Sequence, residues 1–146
     1  MVLQLVRHQF TVKQFHQMAE AGILSENERV ELIRGEMIDM SPIGRRHAGC
    51  VNRLVNFLIQ LLGKQIVLAP QNPVELDETS EPQPDIALLK PRPDFYRNSH
   101  PQPEDIFLLI AGLTQNISQT LFSSFSSFLS LTGRSANVVH YSVTCA

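Results

Sequence analysis

No aspartate, glutamate or lysine occurs after residue 110 of this sequence, and the only charge there is Arg134. All 14 acidic residues and 11 of the 12 lysines and arginines precede that point. Charged residues amount to 18% of the chain, below the usual quarter. The net charge is −2, which excludes a global positive field that would recruit nucleic acid; a local basic patch is still allowed. The two cysteines, Cys50 and Cys145, are far apart and form no C-x-x-C. Reduced thiols and a cytoplasmic protein are therefore expected. Cys50 reads as a buried small hydrophobe. The start, MVLQLVRHQF, carries charge too early for a signal peptide. No apolar run reaches membrane-spanning length, so no membrane span is expected. There is no H-E-x-x-H, no G-x-S-x-G, no phosphate-loop glycine pattern and no dinucleotide fingerprint. SSFSSF lacks interleaved Lys or Arg and is not a stacking platform for nucleic acid.

With 146 residues, there is room for one domain with a real core. The composition nevertheless breaks at one place. Residues 1–110 read as an ordinary folded chain, whereas residues 111–146 are rich in Ser, Thr and Phe and nearly uncharged. Globular proteins use charge to solubilise their outer faces, so the two parts are taken separately.

The first part predicts a succession of short elements. Thr11 caps a helix over VKQFHQMAEAG, which Gly22 stops. RVELIRGEMIDMSP predicts two short strands turning at Arg34-Gly35. RRHAGCVNRLVNFLIQLLGK predicts a helix, with Val51, Leu54, Val55, Leu58, Ile59 and Leu62 on its apolar face and Gly63 as its end. QIVLAP and PVELDE are expected to pair as strands. PDIALLKP predicts a strand bounded by proline at both ends. DIFLLI, apolar throughout, predicts a central one. The order gives an α+β or mixed α/β fold, with a mixed central sheet flanked by helices. In the second part, SQTLFSSFSSFLSL has helical spacing and NVVHYSV a strand pattern.

Two carboxylates and a basic helix start are candidate functional groups. Asp85 stands at the mouth of an apolar strand between Pro82, Pro84 and Pro91. It reads as a strand-entry residue whose approach the prolines keep extended, or as a rigidly mounted ligand for a divalent ion. Glu31 lies between Val30 and Leu32 and by alternation faces away from them. It is either a solvent-facing strand residue or a second carboxylate at a cleft. His47 follows Arg45 and Arg46 at a helix start, with Arg53 two turns on. These arginines are either a solvated face or a phosphate-steering one. Positive side chains at a helix N-terminus oppose the macrodipole, which favours an anionic partner. The other histidines, His8, His16, His100 and His140, show no ligand spacing.

Taken in order, RVELIRGEMIDMSPIGRRH, APQNPVELDE, SEPQPDIALLKPRPDFY and HPQPEDIFLLI resemble the Uma-two family of restriction endonuclease-like proteins, within the PD-(D/E)XK nuclease superfamily. The resemblance covers about residues 10–110. It implies a mixed sheet flanked by helices and Mg2+-dependent cleavage of DNA. Pro84-Asp85 resembles the superfamily's PD, which makes Asp85 a Mg2+ ligand. Glu31 resembles the family's early acidic residue near the metal, and His47 falls where the family usually has histidine. Arg45, Arg46 and Arg53 are then candidate contacts to DNA phosphates. A homodimer is common among relatives that cut both strands.

The resemblance stops where charge vanishes. After the DIFLLI strand the family pattern continues with glutamate, then a lysine on the next helix; here Ala111 stands at the glutamate position and the last lysine is Lys90. The implied site thus lacks its second half, and a degenerate, inactive enzyme is expected. A reading-frame shift after Ile110 accounts for the coincidence. Gene sequencing tests this: some single-base shift in those codons should restore an acidic, lysine-containing helix. The rival expectations are a non-catalytic DNA- or protein-binding module and a truncated gene product without function.

Overall fold

A computed structural model describes residues 6–25 and 27–111. The expectations for residues 112–146 lie outside that range. The chain divides into two compact units, Met1–Pro42 with Glu75–Pro82, and Ile43–Val74 with the residues from Gln83 onward.

The first unit is organised by caps and turns. Thr11 has extended φ and ψ, and its hydroxyl accepts the Gln14 N–H at 3.2 Å. The Gln14 side-chain oxygen accepts the Thr11 N–H at 2.9 Å, completing a reciprocal cap. Helix α1 follows, Val12–Glu20, and Gly22 at φ 70 ends it in the left-handed region. Thr11→Ala should cost about 1 kcal/mol of stability, read by chemical denaturation; an unchanged midpoint would show that the cap contributes nothing.

Strands β1 (Val30–Ile33) and β2 (Glu36–Asp39) form the expected hairpin. Arg34 and Gly35 both have positive φ, 50 and 76, the two-residue turn whose twist suits a hairpin. A Cβ on Gly35 would come within 2.6 Å of the Gln9 Cβ, so glycine is required there twice over. Val12, Phe15 and Leu32 form the small core, with Phe10, Met18, Leu24 and Val30 around it. The segment Glu75–Pro82 is laced on by backbone bonds. Val12 N–H donates to Glu78 O, Gly35 N–H to Thr79 O and Glu81 N–H to Leu32 O, at 2.7 to 2.8 Å.

The second unit is one helix on a sheet. Helix α2, Arg45–Leu62, starts at Gly44 without a side-chain cap and ends at Gly63. Cys50, Val51, Leu54, Leu58 and Leu62 recur at three- and four-residue spacing and are buried. They pack on Ile86, Leu88, Leu108 and Ile110. Strands β3 (Val67–Pro70), β4 (Ile86–Leu89) and β5 (Ile106–Ile110) pair antiparallel in the order β3-β4-β5. Alternate residues of β4 and β5 meet α2, as the two-residue period requires.

The α+β class stands, and among the described residues every strand pairing is antiparallel. Three expectations need correction. PVELDE is not a strand; it carries only an Asp77–Ser80 bridge, and β3 pairs β4 instead. Asp77 accepts the Thr79 N–H at 2.7 Å, a local turn bond that competes with a ladder. Among the described residues β4, not β5, is the central strand. Continuous apolarity reports burial, not sheet position, and both strands are buried. Ile59 is 53% exposed because it lies at the edge of the apolar stripe.

Candidate functional site

Asp85 and His47, singled out on separate grounds, meet in the second unit. The His47 Nε2–H donates to Asp85 Oδ1 at 2.7 Å, with the side chains 27% and 14% exposed. His47 is the third residue of α2, and Asp85 immediately precedes β4. Asp85 is thus held from several sides. Pro84 before it is buried, its own carbonyl accepts the Gln71 N–H at 3.1 Å, and its carboxylate is on the helix. Helix α2 has no acidic residue in its first turn. The Asp85 carboxylate supplies the negative charge that a helix N-terminus favours.

The strand register determines what stands beside Asp85. Pro70 pairs with Ile86, and Ile110 pairs with Ile86 from the other side. One step beyond, the Gln71 N–H donates to Asp85 O on the β3 side, and Ala111 directly follows the last residue of β5. The resemblance implies a glutamate at position 111, where this chain has a methyl side chain.

Arg45, Arg46 and Arg53 are all exposed on α2. Arg46 and Arg53 are seven residues apart, so they share a face about 10 Å long. Glu31 is half-buried on β1, paired with Ile38. It belongs to the first unit, while Asp85 and His47 belong to the second.

A second His–carboxylate pair was not anticipated. In the first unit the His16 Nε2–H donates to Glu81 Oε2 at 2.7 Å, with side-chain exposures of 40% and 5%. Glu81 is buried because its backbone bridges Leu32, the centre of that core. A buried carboxylate needs a partner, and His16, one turn beyond the buried Val12, is placed to be it. The available signal was the adjacency of His16 to the apolar face of α1. Glu81 gave none, since its burial depends on a contact distant in sequence. On its outer side His16 borders a hollow with Lys13, Glu20, Glu75 and Glu78.

Helix α2 lies on the antiparallel sheet, with Asp85 at the mouth of β4, and this fold has a counterpart among solved structures. It is similar to a crystal structure described as "a putative nuclease belonging to DUF820" from Anabaena variabilis ATCC 29413. That match has a TM-score of 0.55 and 15% identity over 83% of this chain and 68% of the other. The sequence model of the Uma2 family, described as "Putative restriction endonuclease", matches residues 12–111. The chain belongs to the Uma2 family. Among curated proteins, none matches it. Among the described residues no helix is long and apolar enough to cross a membrane.

Proposed function

We propose that this chain is a DNA-contacting member of the nuclease fold from which Mg2+-dependent phosphodiester hydrolysis has been lost. Ala111 supports this reading: it directly follows Ile110, the ladder partner of Ile86, and stands where the resemblance implies a second carboxylate. The match to the family also ends at this residue.

The donor set does not fit a catalytic Mg2+ site. Mg2+ demands near-octahedral oxygen ligation. The second unit offers Asp85, one of whose oxygens already accepts from His47. Glu31, which the resemblance implies as a second carboxylate, belongs to the first unit. No lysine follows Lys90 to offset charge in a transition state. No hydrolytic step through a cation is therefore assigned to this chain.

DNA contact has a different basis. Arg45, Arg46 and Arg53 line an exposed face of α2, and cations on one face serve phosphates without needing the metal. His47 orients the Asp85 carboxylate at the edge of that face. The setting is cytoplasmic, and a pair of chains is the arrangement that addresses both strands of a duplex.

The test combines binding and nicking. The chain should bind duplex DNA with affinity that falls steeply with salt, and Arg46→Ala should reduce the logarithmic salt slope by about 0.9. Supercoiled plasmid should stay intact in Mg2+, with Asp85→Asn indistinguishable from the parent. Mg2+-dependent nicking that disappears in Asp85→Asn would overturn the inactive reading. Salt-insensitive or absent binding would remove DNA.

A further inference from the structure

The loop between β4 and β5 ties down nearly everything it contains and leaves one ring outward. Phe95 is 74% exposed. Its φ is 50 and that of Tyr96 is 62, left-handed values that bulky side chains rarely adopt. Such a conformation persists where its surroundings over-determine it, and it concentrates at functional sites.

The surroundings here do so. Arg92 Nε and Nη2 donate to the two Asp94 carboxylate oxygens at 2.6 Å each. Nη2 also donates to Ser99 Oγ at 3.1 Å. The Arg92 guanidinium lies 4.3 Å from the centre of the Tyr96 ring. The Tyr96 hydroxyl donates to Lys90 O at 2.8 Å. Phe95 N–H donates to Arg92 O and Arg97 N–H to Asp94 O, both at 3.0 Å. The Arg92 fork holds the Asp94 carboxyl well below the usual carboxylate range. The side chains of Tyr96, Arg92 and Asp94 are thus consumed in building a platform, and the Phe95 ring takes no part in it.

The charges around the ring select its partner. Asp94 is locked in the fork, and the Asp105 carboxylate accepts the Gln102 N–H at 3.0 Å. Lys90 and Arg97, five residues before and two after Phe95 in the sequence, are exposed, and Glu104 is an exposed acid that follows the loop. Protein-binding hot spots sit at the centre of an apolar patch with a polar rim. A single exposed ring on a loop that also carries exposed cations has the chemistry of a nucleic-acid stacking platform, where aromatics take the bases and cations the backbone.

We infer that Phe95 is a nucleobase-stacking wedge, held outward by the 91–99 loop to engage an unpaired or opened base of DNA. This rests on the DNA-contacting reading above. Asp85 precedes β4 and Lys90 follows it, so the loop begins about 16 Å along the strand from Asp85. That length corresponds to about five steps of one DNA strand.

The chain contains no tryptophan, so Phe95→Trp installs a sole indole reporter at the wedge. Its emission should be quenched on saturation with a mixed-sequence single-stranded oligonucleotide. Heparin, which offers charge without bases, should leave it unquenched. Phe95→Asn removes the ring and tolerates the left-handed backbone. It should bind a labelled oligonucleotide about tenfold more weakly by anisotropy. Saturable oligonucleotide binding with no change in the indole emission of Phe95→Trp, or undiminished binding by Phe95→Asn, overturns the wedge while DNA contact stands. No binding by the parent overturns both. Unchanged DNA affinity in Phe95→Asn with a lowered sedimentation coefficient assigns the ring to a protein interface and also overturns the wedge.

Discussion

Ala111→Glu is expected to tighten Mg2+ binding by at least tenfold without restoring comparable cleavage. The ladder pairs Ile86 with Ile110 and Ala87 with Leu109; Asp85 directly precedes Ile86 and residue 111 directly follows Ile110. Directly opposed residues in an antiparallel pair have Cβ atoms about 4.5–5.5 Å apart. Two carboxylates at that spacing can bracket one ion at about 2 Å from each oxygen. A tenfold gain needs only about 1.4 kcal/mol, modest for a second anionic ligand. Without metal the new glutamate and Asp85 repel, so at least one carboxyl pKa should rise. A carboxyl raised above its unfolded value stabilises the protonated fold, so the variant should lose stability as pH climbs through the acid range. Mg2+ should return that stability at neutral pH. Thermal unfolding with Mg2+ and with chelator, alongside titration calorimetry, measures both effects. The idea is lost if Mg2+ leaves Ala111→Glu unshifted, or shifts the Asp85→Asn double variant equally. Plasmid cleavage should remain poor because the lysine is still missing, and the charge of the transition state goes unmet.

The same ladder shows which parts of this molecule its sequence makes legible. α1, α2 and the β1–β2 hairpin announce themselves within a dozen or so residues. Thr11 with Gln14, the three- and four-residue recurrence from Val51 to Leu62, and Arg34-Gly35 are each closed by contacts between near neighbours. PVELDE fails because its alternation matches a strand while Asp77 satisfies the Thr79 N–H locally. Pattern alone does not see that competition. The partner choice of β3 depends on β4, whose nearest residue is sixteen positions away, and no local signal encodes it.

Legibility at the site divides in the same way. Asp85 was visible through its prolines and His47 through its place at a helix start. Their contact joins residues 38 positions apart, and only the fold creates it. His16 and Glu81 are 65 positions apart, and neither sits in a motif. The family was legible because its signal is distributed over many positions of 12–111 and does not depend on one pairing.

Leu58→Ala is expected to cost about 3 kcal/mol, a large part of what holds a domain of this size together. Leu58 has no exposed surface, and it sits one turn from both Leu54 and Leu62 in the cluster that joins α2 to the sheet. Truncation removes three carbons from a region where Ile86, Leu88, Leu108 and Ile110 are set by backbone ladders. A sheet so constrained collapses poorly into a cavity, so both the transfer cost and the cavity cost should be felt. Leu61 is the internal control, since it lies on the same helix but is 45% exposed. Leu61→Ala should stay within about 0.5 kcal/mol, as surface changes usually do. Urea denaturation of the three proteins, compared at their midpoints, measures both numbers. The loss should also reach the site, because α2 carries His47 at its first turn and the sheet carries Asp85. Equal midpoints for Leu58→Ala and Leu61→Ala would mean that α2 is not anchored through this cluster, and the rigid mounting of Asp85 would lose its physical basis.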